Sequence, residues 1–128
     1  MKFESPKVFE KLNIRVAKIK GIKNHPKTKD YILDLDLGIV ERDCQVVADL
    51  AGSYKKDQLI GKSVVYIENI KPIQVQGISS MGIILIAHHN GKPVLLAPQE
   101  SVATGVQVSG LDTTEHHYHW IAGEHGGE

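Results

Sequence analysis

The stretch Ile14-Arg15-Val16-Ala17-Lys18-Ile19-Lys20-Gly21-Ile22-Lys23 decides the fold. Ile14 and Val16 alternate on one face, as a half-buried strand requires. Ala17, Ile19 and Gly21 continue the alternation on the opposite parity. Strand side chains keep a period of two, so a change of parity implies a bulge or a sharp bend, and the glycine downstream supplies the freedom for either. A bent first strand can serve both sides of a small barrel.

The flanking segments fit such a barrel. His25-Pro26-Lys27-Thr28-Lys29-Asp30 is a turn. In the strand that follows, Tyr31, Leu33, Leu35 and Leu37 face in, Asp34 and Asp36 face out, and Gly38 opens the next turn. Cys44-Gln45-Val46-Val47-Ala48 is a third strand. Ser53 to Leu59 forms one or two helical turns ended near Gly61, and Ser63-Val64-Val65-Tyr66-Ile67 is the fourth strand. Met81 to Ala87 is a fifth, apolar enough to be buried on both faces. Asn90-Gly91 is a strong hairpin signal leading into Val94-Leu95-Leu96-Ala97. At the N-terminus, Ser5 suits an N-cap and Pro6 the first position of a short helix, with Val8, Phe9 and Leu12 on one apolar stripe. Five strands with a helix between the third and fourth is the order of an OB-fold. The expected architecture is therefore all-β with short helices: an OB-fold five-stranded barrel, extra C-terminal strands and an extension.

The 128 residues suit a single domain, 1–128, with 41% apolar and 23% charged residues, ordinary values for a globular protein. No apolar run approaches the ~20 residues of a membrane helix, and no secretory signal is expected at the N-terminus. Cys44 is the only cysteine, which excludes an internal disulfide and a multi-thiolate zinc site. A cytoplasmic protein without membrane association is expected. Net charge is zero, but residues 1–29 hold nine Lys or Arg against two acids, while the remainder holds six against thirteen. That asymmetry suggests a local positive face on a neutral molecule, the alternative being lysines that simply solvate a helix and an edge strand.

Several motifs then carry a resemblance. Leu12-Asn13-Ile14-Arg15-Val16-Ala17-Lys18-Ile19 resembles an opening strand D-x-R-V-G-K-I. His25-Pro26 with Lys29 and Tyr31 resembles H-P-x-A-D-K-L-Y. Tyr54 with Leu59-Ile60-Gly61-Lys62, Asn69-Ile70-Lys71-Pro72 with Gly77, Ser80-Met81-Gly82-Ile83, and Leu95-Leu96-Ala97-Pro98 follow in order. Residues 9–108 are thus similar to the stand-alone tRNA-binding domain family, leaving 109–128 as a His-rich C-terminal extension. The chain departs from the family pattern at Cys44, where an arginine is usual, at Ala48-Asp49, and at Ile83, where the signature methionine stands.

The resemblance implies an OB barrel that binds tRNA as a homodimer, with an aminoacyl-tRNA synthetase as a further possible partner and the chaperone-like members of the family as the competing reading. The RNA-binding candidates are Arg15, Lys18, Lys29, Asn69 and Ser80. Arg15, Lys18 and Lys29 suit phosphates, Asn69 a base edge, and Ser80 a base or a 2′-hydroxyl. Each has a structural alternative: Lys18 can be simply solvated, Asn69 can cap the turn before Lys71-Pro72, and Ser80 can satisfy backbone in the bend. Tyr31 reads as core. The chain's own hint of dimerisation is the apolar set Val102, Val106, Val108 and Leu111.

His116, His117 and His119 are the remaining metal candidates, but His-His-x-His matches no structural zinc pattern, so neither a metal nor another cofactor is expected. No nucleophile–base constellation or glycine-rich phosphate loop is present, and Asp34 and Asp36 read as solvated, so no enzyme activity is expected.

Overall fold

The computed structural model describes residues 1–38 and 44–110. The chain runs through α1 (Pro6–Glu10), β1 (Ile14–Asn24), β2 (Tyr31–Asp36), β3 (Gln45–Ala48), α2 (Lys56–Leu59), β4 (Ser63–Ile67), β5 (Ile73–Val75), β6 (Ile78–Ser80), β7 (Ile83–Ile84), β8 (Ile86–His89), β9 (Lys92–Leu95) and β10 (Gln107–Val108). Ser5 caps α1, its hydroxyl accepting from the Lys7 N–H at 3.2 Å. Val8 and Phe9 on that helix stay exposed, so its apolar stripe faces away from the core.

β1 organises the molecule. Ile14 to Lys18 pair antiparallel with β4, and Lys18 to Asn24 pair antiparallel with β2. The register shifts between Ile19 and Gly21, which makes Lys20 the extra residue. The expected bulge is present, and it lets one strand turn from one side of the barrel to the other. The strands run β3-β2-β1-β4-β7, and β10 adds to the start of β1. Met81 N–H donates to Gln45 O at 2.7 Å, joining the approach to β7 to β3 and nearly closing the barrel. The result is an OB-like barrel. Inside it lie Ala17, Ile19, Leu33, Leu35, Val46, Leu50, Leu59, Val64 and Tyr66, all buried. Each fully buried aliphatic side chain contributes roughly 1.5–3 kcal/mol. Tyr31 is core as expected, its hydroxyl donating to Tyr54 O at 2.8 Å.

The structure differs from expectation in one strand and adds one hairpin that was not expected. The fifth strand is not a continuous, doubly buried segment: it divides into β7 and β8, with Met81 and Ile83 exposed. Apolar composition there reflects one inward face and a change of sheet, not burial on both sides. The second difference is the β5–β6 hairpin. Its turn is Gln76-Gly77, with φ of 47° and 88°, the pair of positive angles a tight two-residue hairpin needs. Asn90-Gly91 makes the corresponding turn between β8 and β9.

Gly82 fixes how the chain enters β7. At φ +86°, a Cβ there would lie 2.5 Å from Ile67 O and 2.7 Å from the Tyr66 hydroxyl. Only a residue without a side chain lets the backbone pass this close over Tyr66, whose hydroxyl donates to Met81 O.

Candidate nucleic-acid interface

The outer face of the sheet is built in rows. Lys23, Ile32 and Val47 are neighbours across β1, β2 and β3, and so are Gly21, Asp34 and Gln45. Met81 stands beside Gln45, held by its backbone bond to β3. Together with Ile22 these residues, other than Val47, line an open groove of about 530 Å³. Its floor is apolar through Ile22, Ile32 and Met81, and its polar groups are Lys23, Asp34 and Gln45.

Lys23 and Ile32, in the groove lining, flank the β1–β2 turn in the chain, and Met81 belongs to the long connection from β4 to β7. His25 joins these two segments. It is buried, its Nε2 lies 2.7 Å from Val75 O, and its Nδ1 accepts from the N–H groups of Lys27 and Thr28 at 2.9 and 3.2 Å. Because Nδ1 accepts twice, the donor to Val75 is Nε2–H. The same turn is closed by Thr28, whose hydroxyl donates to Asp30 Oδ2 at 2.7 Å. Lys27 and Lys29 on this braced turn are exposed, as is Lys23 near the end of β1. The same β4–β7 connection is also held from β3, where Gln45 Nε2 donates to Ser79 O at 2.9 Å.

The five residues singled out from sequence do not meet at one point. Lys29 lies in the basic turn. Ser80 is buried, and its hydroxyl accepts from the Val47 N–H at 3.0 Å, fastening β6 to β3. Asn69 is exposed, but its Oδ1 accepts from the Asn13 N–H at 2.7 Å and its Nδ2 donates to Lys11 O at 2.8 Å. Arg15 is held nearby: Nε donates to Glu68 Oε1 and Nη1 to Gly105 O, both at 2.9 Å, while Asn13 Nδ2 donates to the same Glu68 oxygen. Asn69 and Arg15 therefore tie α1, β1 and the segment before β10 together. Lys18 lies elsewhere, in a second groove of about 490 Å³ with Tyr54, Lys62, Leu95 and Glu100. His116, His117 and His119, together with Leu111, fall outside the described residues. Among the described residues, no group of three or more His, Cys, Asp or Glu is placed to hold a metal, and no helix is long and apolar enough to cross a membrane.

The main groove's own residues were not among the candidates. Gln45 and Met81 gave no chemical signal beyond their strand positions, and Asp34 carried only the outward parity of β2. Lys23 belonged to a basic run whose members only the three-dimensional structure can sort.

The family model described as "Putative tRNA binding domain" matches residues 14–107, the span from the first residue of β1 to the first of β10. The chain belongs to this tRNA-binding domain family. The chain is 41% identical over 101 residues, 78% of its length, to a methionine–tRNA ligase of Nanoarchaeum equitans (strain Kin4-M), of which it covers 13%. It thus spans only a small part of such relatives. Among solved structures it is similar to the chaperone CsaA from Bacillus anthracis str. Ames, with a TM-score of 0.75 and 25% identity over 84% of this chain and 100% of that one. It is likewise similar to a MetRS related protein from Pyrococcus horikoshii, with a TM-score of 0.76 and 26% identity over 84% and 99% of the two chains.

Proposed function

We propose that this chain binds tRNA as a homodimer, without catalysis and without a cofactor, through the groove across β1, β2 and β3. The observation that carries the reading is the arrangement of that groove within a tRNA-binding domain: an apolar floor with Lys23 in its lining, next in the chain to a braced turn bearing Lys27 and Lys29. OB-type barrels use this face and its adjoining loops for nucleic acid. The lysines neutralise phosphates, and the floor accepts the face of an unstacked base. In this arrangement Ser80 and Asn69 shape the wall and its base, Arg15 supports them through Glu68, and Lys29 touches RNA directly. Lys18 adds charge from the neighbouring groove. Exposed Val8, Phe9, Val102 and Val106 support the homodimer, since association would take this apolar surface from water.

The test is titration of the purified chain with unfractionated tRNA at about 50 and 200 mM salt. Three phosphate contacts give a log–log salt slope of about −2 to −3. Saturable binding with such a slope supports the reading; no binding at the lower salt overturns it. Sedimentation should give twice the chain mass of 14.1 kDa; a monomer overturns the dimer.

A second reading is a protein-binding module, either chaperone-like or associated with methionyl-tRNA synthetase. The similarity to CsaA and the same exposed apolar residues favour it. Affinity for a polypeptide that persists at high salt, in a chain that ignores tRNA, would establish it.

A further inference from the structure

The groove contains a group that a phosphate-binding surface has no use for. Asp34 sits in its centre, exposed, between Gly21 on one strand and Gln45 on the other. A Cβ at Gly21 would lie 3.4 Å from Asp34 Cβ and 3.8 Å from Oδ2, so the absent side chain leaves one flank of the carboxylate open. Among the described residues no cation is paired with it. An ionised carboxylate repels phosphate and only accepts hydrogen bonds. In an RNA-binding groove it must therefore face donors, and the donors of RNA are the 2′-hydroxyls and the base edges.

Resting on the RNA-binding reading, we infer that Asp34 and Gln45 select a guanine base seated in this groove. The Watson–Crick edge of guanine carries two adjacent donors, N1–H and the 2-amino group, followed by the O6 acceptor. The two oxygens of Asp34 match the donor pair. Gln45 has one amide N–H committed to Ser79 O, which orients the amide and leaves its second N–H for O6. Adenine and cytosine each place a ring-nitrogen lone pair beside their single amino group, and uracil places a carbonyl on each side of its single N–H. Each of these would set an acceptor against the carboxylate, and a polar group built to pair rejects a base that cannot pair with it. Ile22 and Met81 supply apolar contact for the base, and Lys23 lies beside the row to meet the adjoining phosphate.

The experiment uses the full chain and short oligouridylates carrying one central guanosine, inosine, adenosine or cytidine, with affinity read by fluorescence anisotropy at fixed salt. The guanosine oligomer should bind about ten-fold more tightly than the adenosine or cytidine ones. Inosine, which keeps N1–H and lacks the 2-amino group, should fall between. Asp34→Asn should level the series, because its amide offers one acceptor and one donor, while raising affinity for the adenosine and cytidine oligomers by removing a negative charge. Gln45→Leu tests the O6 contact and should reduce the guanosine preference without that gain. Equal affinity for all four oligomers in the wild type, or a guanosine preference unchanged in Asp34→Asn, overturns the inference while leaving RNA binding standing. No binding to any oligomer or to tRNA overturns both.

Discussion

Gly82→Ala and Gly77→Ala form a matched pair whose difference isolates one steric contact. The two glycines have almost the same backbone angle, φ +86° and φ +88°. An alanine at either position must adopt a left-handed conformation, at a cost of about 1–2 kcal/mol. At Gly77, on the tip of the β5–β6 hairpin, the new methyl meets nothing within 4 Å, so that cost is the whole effect. At Gly82 the methyl would sit 2.5 Å from Ile67 O and 2.7 Å from both Tyr66 Cε1 and its hydroxyl. Neither neighbour can yield cheaply. Ile67 O belongs to β4, which pairs with β7, and Tyr66 is 1% exposed with its hydroxyl bonded to Met81 O. Overpacking of this kind adds about 1–3 kcal/mol, bringing Gly82→Ala to about 2–5 kcal/mol in all. At roughly 4 °C per kcal/mol for a chain of this size, Tm should fall by about 4–8 °C for Gly77→Ala and by about 4–12 °C more, about 8–20 °C in all, for Gly82→Ala. Thermal unfolding followed by circular dichroism measures both. Equal shifts in the two variants would refute the reasoning.

Lys29→Ala should weaken tRNA binding and reduce the magnitude of the salt slope by about 0.9, one phosphate's share, with Tm unchanged; an unchanged slope in a titration series removes Lys29 from the interface. Glu68→Ala strips Arg15 and Asn13 of their shared acceptor. It should lower stability by about 2 kcal/mol, measured by urea unfolding, whereas a loss under about 0.5 kcal/mol would place the pair among inconsequential surface contacts. Asn69→Ala removes two bonds to the α1–β1 linker, so proteolysis near Lys11 should accelerate while the tRNA salt slope holds. His25→Ala releases the β1–β2 turn from Val75, and amide exchange should rise in both segments; exchange confined to the turn would mean the two are not coupled.

How much of this was legible in the sequence depends on the range of the interaction. The parity change at Ala17 was legible because strand periodicity is strict, and the bulge lies within the stretch that showed it. Asn90-Gly91 was legible because its turn conformation is set by those two residues. The β5–β6 hairpin was not: Ile73-Gln74-Val75 is too short to show alternation, and Gln76 is an unusual residue for its left-handed position. The candidate site suffered most. Arg15 looked like a phosphate ligand, yet its partner Glu68 is 53 residues away. Ser80 carried both readings, and its bond to Val47 spans 33 residues. A residue's chemical type is readable locally, but which partner consumes that chemistry is decided by the fold. Asp34 shows the converse: outward parity was correct, but what faces it across the groove came only from the register of β1, β2 and β3.

Hydrogen–deuterium exchange of the full chain with and without tRNA tests the central claim most directly, because it reports where the RNA lies. Protection is expected in segments 20–34, 44–48 and 79–82, which build the groove and its basic turn. Protection confined to segments 54–63 and 95–101 around the second groove, or no protection under conditions where tRNA is bound, would contradict it.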